Sequence, residues 1–434
     1  MRIAVVGAGV VGVASAYMLA RAGHRVTLID AEAEPGRGAS AGNAAQLSWA
    51  YGDAMASPSL LKHLPAILLK RDPAFRVHLR LDPDFWLWGL RFLANVPSRR
   101  WWHNTKEILS LADVSRQEMA LLLAQADIAF DYRVAGKLHL YPDTASLSAA
   151  RPTVERKREL GIDQRILSRL EAEAVEPALK TYQGEIAGAV YTPDDALGDA
   201  AAFCRQLTDF VVREYAVSTA FGKRVAGFEQ HAGRLSAVRF ADRDPLPVDA
   251  AVVTAGPLIR TLAASLSEAR EIQPVAGYSL TVPWREGAPR VSLTDVKRKL
   301  AFAAIGNRLR VAGLADIAPP GSGFVADRFA ILRQAANAVL PDCFGQAEWE
   351  NRWSGERPMT PSSRPIIAQS RKIRGVYVNV GHGMLGWTLS LGSARKLADM
   401  LSEGVSRNEG KGHADPVLQK TAGILASHQK SLEM

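Results

Sequence analysis

Cysteine is almost missing from this chain: Cys204 and Cys343 are the only two among 434 residues. Two isolated thiols exclude a disulfide scaffold, a thiolate-bound iron–sulfur cluster and a structural zinc site, so each is expected to be a buried side chain. Nor does any apolar run reach the ~20 residues of a membrane-spanning helix. The apolar stretch after Arg2 lacks the form of an export signal, because three glycines interrupt it and an acid ends it after a complete turn and helix pattern. It reads as folded chain, and the expected location is cytoplasmic. The formal charge is +9, yet Arg and Lys are dispersed and no nucleic-acid motif accompanies them. That excess therefore points away from nucleic acid and toward anionic lipid or an acidic partner.

What is present is ordinary soluble composition, 47% hydrophobic and 22% charged. The length exceeds what one hydrophobic core usually serves, so two closely joined domains are expected.

The first thirty residues carry the densest local signal. Ile3 to Val6 reads as a central strand, Gly7, Gly9 and Gly12 give G-x-G-x-x-G, and Val10 and Val11 begin a small-residue helix. Val26 to Ile29 reads as a second parallel strand ending at Asp30 and Ala31. Gly7 permits the tight turn, Gly9 lets a phosphate approach the backbone, and Gly12 lets helix pack on strand, so a pyrophosphate is placed at the helix N-terminus. Asp30 stands where a carboxylate accepts from ribose hydroxyls and disfavours a 2′-phosphate. The stretch just beyond Asp30 favours FAD over NAD. Gly36 to Ser48, rich in small and hydroxyl residues, suits a chain running along an extended cofactor; a plain flexible loop is the other reading. Phe221 to Phe228 and Leu235 to Phe240 read as a hairpin, and Ala250 to Val253 as a strand entering a turn at Ala255 and Gly256. Gly375 to Val380 is a further strand, running into the glycine turn and helix GHGMLGWTLSLGSARKLADML.

Four blocks in order, MRIAVVGAGVVGVASAYMLARAGH, AGYSLTVP, WSGERPMTP and VNVGHGMLGWTLSLGS, closely resemble the flavin-carrying small subunit of bacterial D-amino-acid dehydrogenases, within the D-amino-acid oxidase and glycine oxidase superfamily. The resemblance implies an α/β and α+β fold: a Rossmann-like FAD-binding domain and a discontinuous mixed-sheet substrate domain. The expected division is 1–48, 166–270 and 351–404 for FAD, 49–165 and 271–350 for substrate, and 405–434 as an extension. It further implies oxidative deamination of a small amino acid, with electrons passed to a quinone or other partner. By the same resemblance Asp30 holds adenosine, and Ser40 through Asn43, Ala44, Gln46 and Leu47 follows the pyrophosphate toward the flavin. Val225 frames the adenine; Gly381, Gly383, Met384, Leu385, Gly386, Trp387 and Thr388 support the ring system. Relatives with a covalent flavin use a C-terminal cysteine, and none follows Cys343, so FAD should be noncovalent.

Amine oxidation asks the protein chiefly to fix the substrate carboxylate and aim its α carbon. Arg357 is the first candidate, because a guanidinium fork matches a carboxylate in two parallel bonds and related oxidases place an arginine before proline here. An ion pair with Glu356 is the bland reading. Tyr278 is the second candidate, as a phenolic donor or pocket wall, against the reading that it is core. His382 is a candidate base, cofactor contact or loop brace. Backbone amides around Gly383 to Gly386 are the candidate donors to reduced-flavin charge.

Two departures from the family pattern bear on substrate. Pro361-Ser362-Ser363-Arg364-Pro365 stands where many relatives have P-D-G, and Ala200 to Ala202 where relatives often have bulkier or polar residues. Arg364 adds a cation near the cofactor end of the pocket or faces solvent, while the three alanines weaken a D-alanine preference and leave open a dehydrogenase of proline-like or N-substituted amino acids, including one that works as a subunit of a complex. Residues 84–102, with tryptophans among arginines, read either as a patch resting on the inner face of a membrane or as substrate-domain core.

Overall fold

The computed structural model describes residues 1–409 except 70, 263–265, 320–324, 346–347 and 350. Most of the expected 405–434 extension lies outside the described residues.

The opening apolar run forms the strand Arg2–Val6, flanked in parallel by Arg25–Ile29 and Ala250–Val253. Its residues are buried from Ile3 onward, as a strand covered on both faces requires. Ser218–Ala220 and Val376–Val380 extend this sheet in parallel on either side, and Ile366–Gln369 closes one edge antiparallel. Helix Val10–Arg21 is buried along most of its length. It packs beside Ala200–Tyr215, with Tyr17 and Phe210 in ring contact at 6.3 Å. The predicted hairpin is Val225–His231 with Arg234–Phe240.

A second, nine-stranded sheet runs in the order Asn351–Met359, Gln273–Pro283, Arg308–Ile317, Leu300–Ile305, Ser292–Asp295, Lys137–Tyr141, Gly188–Thr192 and Arg165–Ser168, with Phe75–Val77 joining Arg308–Ile317. Strands 165–168, 188–192 and 351–359 thus pair in this sheet, whereas the sequence division put them with the FAD-binding part. Hydrogen bonding between strands far apart in the chain decides their membership, and no local pattern encodes it.

Strand alternation gives this sheet two unlike faces. Tyr278, Leu280, Val282, Leu309, Val311, Phe302, Leu293, Leu138 and Leu140 point to one side and form a continuous core with Phe329 and Leu332 of the helix Ala326–Asn337. Burying each large apolar side chain contributes ~1.5–3 kcal/mol, so this face anchors the sheet. The paired register places Arg357, Gly277, Ser279, Thr281, Arg310, Ala312, Thr294, Lys137 and His139 on the other, small and polar face.

Candidate functional site

Three turns of the first sheet meet around the helix start. Gly7 has φ +110° and donates to the Ile29 carbonyl at 2.8 Å. A Cβ at Gly12 would lie 1.7 Å from the Gly7 carbonyl oxygen, so only glycine lets helix and strand come this close. Asp30 braces the same turn, accepting from the amides of Ala8 at 2.5 Å and Glu32 at 2.9 Å. The Thr254 hydroxyl donates to the carbonyls of Val6 and Gly7, tying in the turn that holds Ala255 and Gly256. Helix starts carry amides without intrahelical partners; that of Val10 is met by the Ser40 hydroxyl at 3.1 Å. Positive helix end, glycine floor and an acid at the second strand fit a dinucleotide's pyrophosphate and ribose. Ala31, Val11 and Val225 are half-buried, and Val225 follows Lys223, whose amide donates to the Asp30 carbonyl at 2.9 Å.

The segment after Ser40 runs from this turn to the second sheet. Asn43 accepts from the Ala45 amide through its side chain and from Arg310 through its carbonyl at 3.0 Å, and Ala45 takes a left-handed φ of +56°. Ala44 is half-buried between them. Gln46 and Leu47 pair with Leu197 and Ala196, and Gln46 donates to the Leu293 carbonyl. The Ser48 amide then donates to the Thr388 hydroxyl at 3.0 Å, joining the two segments expected to flank the flavin.

In the second segment Gly381 and Gly383 have φ +85° and +56°, and helix Gly386–Glu409 follows directly. His382 is buried, its ring nitrogen 3.0 Å from the Ser393 hydroxyl, and burial drives its pKa down to about 3. The ring is therefore neutral at neutral pH, and its contact with Ser393 ties the turn to the helix that follows. Trp387 departs from expectation: its indole donates to Gly198 and packs among Phe130 and Phe203, leaving only its backbone for a cofactor.

Arg357 lies on the polar face, its guanidinium over Gly277, where a Cβ would come within 2.1 Å of Nη2. It donates to the Leu314 carbonyl at 3.3 Å, and no ion pair of Arg357 occurs among the described residues, so the Glu356 pairing is not found. Desolvation lowers its pKa from 12.5 to about 10, which still leaves a full cation at neutral pH. Tyr278 is on the opposite face, and the expectation that it touches substrate is corrected. Its hydroxyl donates to Asp316 at 2.8 Å beneath Arg328, and burial pushes its pKa up. Ala200 to Ala202 do not line the cavity described below, and Gly36 packs on Ala201 and Cys204. Arg364 is half-buried rather than a solvent-facing cation.

A cavity of about 340 Å³ opens beside this loop, bounded by Met359, Ser363 and His382 to Leu385 and, across from them, by Tyr51, Asp53, Tyr141 and Lys157. Sequence reasoning missed the cluster behind it. Tyr51 stacks on His139 at 3.4 Å between rings, and the ammonium groups of Lys137 and Lys157 lie 5.3 and 4.8 Å from the Tyr51 ring centre. Lys137 donates to the Ser48 hydroxyl at 2.7 Å, directly behind the Ser48–Thr388 junction. Burial lowers the Lys137 pKa to about 8, partly offset by Asp195. Burial, then the two lysines, holds His139 well below its usual range.

The Lys137 shift has a measurable sign. Between pH 8 and 10.5 the unfolded chain binds the extra proton, so stability should rise with pH across that window, by up to ~3 kcal/mol. Below pH 8 both states are protonated and the burial penalty is fully present. Melting temperatures from pH 7.5 to 9.5 should show this rise in the parent, and Lys137→Met should flatten it; equal slopes would remove Lys137 as its source.

Comparisons with known proteins agree with this geometry. The pattern of the DAO family, FAD-dependent oxidoreductases, matches residues 2–400. The chain is 38% identical over 412 residues to D-amino acid dehydrogenase 2 of Ralstonia nicotianae, covering 93% of this chain and 96% of the relative. It is 37% identical to D-amino acid dehydrogenase of Paramagnetospirillum magneticum, covering 93% and 95%. Among solved structures, glycine oxidase from Bacillus cereus superposes with a TM-score of 0.68 at 18% identity, covering 93% and 95%. L-proline dehydrogenase from P. horikoshii superposes at 0.70 and 15%, covering 93% of each chain, and like the former speaks to fold alone.

Proposed function

The chain belongs to the DAO family of FAD-dependent oxidoreductases, and from that premise we propose that it oxidises the α carbon of a D-amino acid to an imino acid, which water hydrolyses to a 2-oxo acid and ammonia. The observation that carries this reading is Arg357, a cation without an acidic partner among the described residues, on the polar face one strand step from the cavity wall at Met359. Bound noncovalently, FAD supplies the acceptor for a hydride leaving that carbon. The chain's share is binding and orientation. Arg357 clamps the carboxylate in two parallel bonds, and the Gly277 gap lets its guanidinium lie flat on the sheet. The Gly383–Gly386 turn and the helix behind it offer amides and a positive end to developing negative charge. No side chain in the cavity needs to act as a base if the amine enters neutral, which suits a His382 that stays unprotonated.

The first experiment is anaerobic flavin bleaching with D-amino acids, L-amino acids, proline analogues and N-methyl amino acids. Rapid bleaching by D-amino acids is the expected result. Bleaching confined to proline analogues or N-methyl amino acids would replace the reading with secondary-amine oxidation.

Electrons then leave to an external acceptor, and a lipid-dissolved quinone suits one surface of the molecule. Helix Pro83–Leu93 buries Phe85 and Trp88 but exposes Trp86, Leu87, Leu90 and Leu93, and Leu79 and Leu81 just before it are also exposed. Arg99 and Arg100 stand exposed beside them. An apolar ridge edged with cations fits peripheral seating on anionic lipid, and no helix among the described residues is long and apolar enough to cross a membrane. The protein should float with anionic vesicles, and Leu87→Asp with Leu90→Asp should release it; flotation unchanged by the double variant would reject this surface.

A further inference from the structure

Beside Arg357 on the polar face of the second sheet stands an indole. Trp353 is on the edge strand Asn351–Met359 at the same parity as Arg357, with Gly355 between them. Gly355 pairs with Gly277 of the neighbouring strand, and residues opposite each other in an antiparallel pair lie about 4.5–5.5 Å apart. Neither position has a side chain, so the two glycines make a shallow floor that is covered from both ends. The Arg357 guanidinium lies over Gly277, its Cζ and both Nη atoms where a Cβ would stand. The benzo edge of Trp353, Cζ2 and Cη2, covers Gly355 in the same way. Indole and guanidinium are therefore side by side on one floor.

The same ring has a second neighbour. A Cβ at the buried Gly42 would meet Cβ, Cγ and Cδ2 of Trp353, so the chain after Ser40 rests on the inner part of the indole. One residue on, the Asn43 carbonyl accepts from Arg310 at 3.0 Å, and Arg310 donates to the Thr281 hydroxyl of the same face at 3.1 Å. The segment expected to run toward the flavin thus meets the sheet at two points, and one of them is the residue that shoulders Arg357. We propose that Trp353 is a positioning residue for the oxidation: it keeps the Arg357 guanidinium on Gly277 and sets the spacing between that clamp and the segment at Gly42. The inference rests on the reading of Arg357 as the carboxylate clamp. Without the indole the guanidinium is free to slide over Gly355 and the segment to settle on the sheet, and a misplacement of ~1 Å costs about a hundredfold in rate. Trp353 does this without touching the substrate.

Trp353→Ala, Trp353→Phe and Gly355→Ala are compared with the parent by two measurements, each per bound flavin. One is the limiting rate of anaerobic bleaching by the D-amino acid that reduces the parent fastest. The other is the affinity for the matching 2-oxo acid, which carries the carboxylate but no amine to oxidise, read from the shift of the visible flavin band. Trp353→Ala should lower the rate about thirtyfold or more and weaken the 2-oxo acid about tenfold. Trp353→Phe, which keeps a ring against Gly42, should lie between it and the parent. Gly355→Ala keeps both side chains but puts a methyl where the indole lies, and should lower the rate at least about tenfold. A fall in rate with affinity kept supports the proposal through the contact at Gly42; with affinity lost, through the clamp. A residue that only packs would lower melting temperature and flavin content and leave both measurements alone. Rates within about threefold of the parent in every flavin-loaded variant overturn the proposal, and if Trp353→Ala does not load flavin the other two variants decide. Arg357→Leu separates this inference from its premise. If that variant binds the 2-oxo acid as the parent does, or if no D-amino acid bleaches the parent, the functional reading fails and takes the inference with it. If Arg357→Leu loses the 2-oxo acid while the Trp353 and Gly355 variants keep parental rates, only this inference falls.

Discussion

Replacing Arg357 by leucine is expected to lower kcat/KM by two to three orders of magnitude while the protein keeps its flavin. Truncating one partner of a buried, charge-assisted pair costs about 3–5 kcal/mol, most of it from leaving the substrate carboxylate unpaired in a site poor in water. FAD should stay because, within the chain, Arg357 bonds to Leu314 and covers Gly277, far in sequence and strand order from the Gly7 turn. Arg357→Lys separates charge from shape: it keeps the cation, loses the planar fork, and should fall between parent and leucine variant. Steady-state kinetics with flavin content measured on the same samples checks both statements. A leucine variant with parental kcat/KM would move the carboxylate clamp elsewhere.

Gly12→Ala is the second large effect, and it acts on the cofactor rather than the substrate. The new methyl would have to occupy a point 1.7 Å from the Gly7 carbonyl oxygen and 2.8 Å from the Thr254 hydroxyl, so the helix must move off the strand or the Gly7 turn must open. Either movement displaces the Val10 amide from Ser40 and the Ala8 amide from Asp30, which together define the phosphate end of the site. The variant should purify with little or no visible flavin absorbance and a lower melting temperature. Normal FAD retention would show that the turn has slack that these distances do not suggest.

How much of the molecule is legible in its sequence depends on the range of the signal. The dinucleotide end is written in thirty consecutive residues, where period, turn chemistry and the acid at position 30 agree, and its strands fall within about a residue of expectation. Tyr278 is misplaced by sequence reasoning for a definite cause. The strand Gln273–Pro283 is buried on both faces, so solvent contrast does not reveal which parity meets the pocket. A subtler cue is there: Gly277, Ser279 and Thr281 are small or polar, while Tyr278, Leu280 and Val282 are bulky, and the flavin side needs room. Arg357 can be chosen because arginine before proline is a local motif that the family resemblance supports. The Tyr51, Asp53, Lys137 and Lys157 cluster has no such mark, since its members come from strand, loop and helix up to 106 positions apart. Sheet membership of 165–168, 188–192 and 351–359 is hidden for the same reason.

The junction of the Ser48 amide with the Thr388 hydroxyl spans 340 positions, and the strands of the first sheet are drawn from residues 2–6, 250–253 and 376–380. A ribosome therefore releases the glycine turn long before it makes the strand that completes its sheet. Loop-closure entropy for such distant pairings is met late, which makes for slow maturation and a long interval in which the opening apolar strand has Arg25–Ile29 on one side but lacks Ala250–Val253 on the other. Flavin uptake should then be a final step of biogenesis, following synthesis through position 388, and chains arrested before Val376 should be captured by chaperones without ever turning yellow.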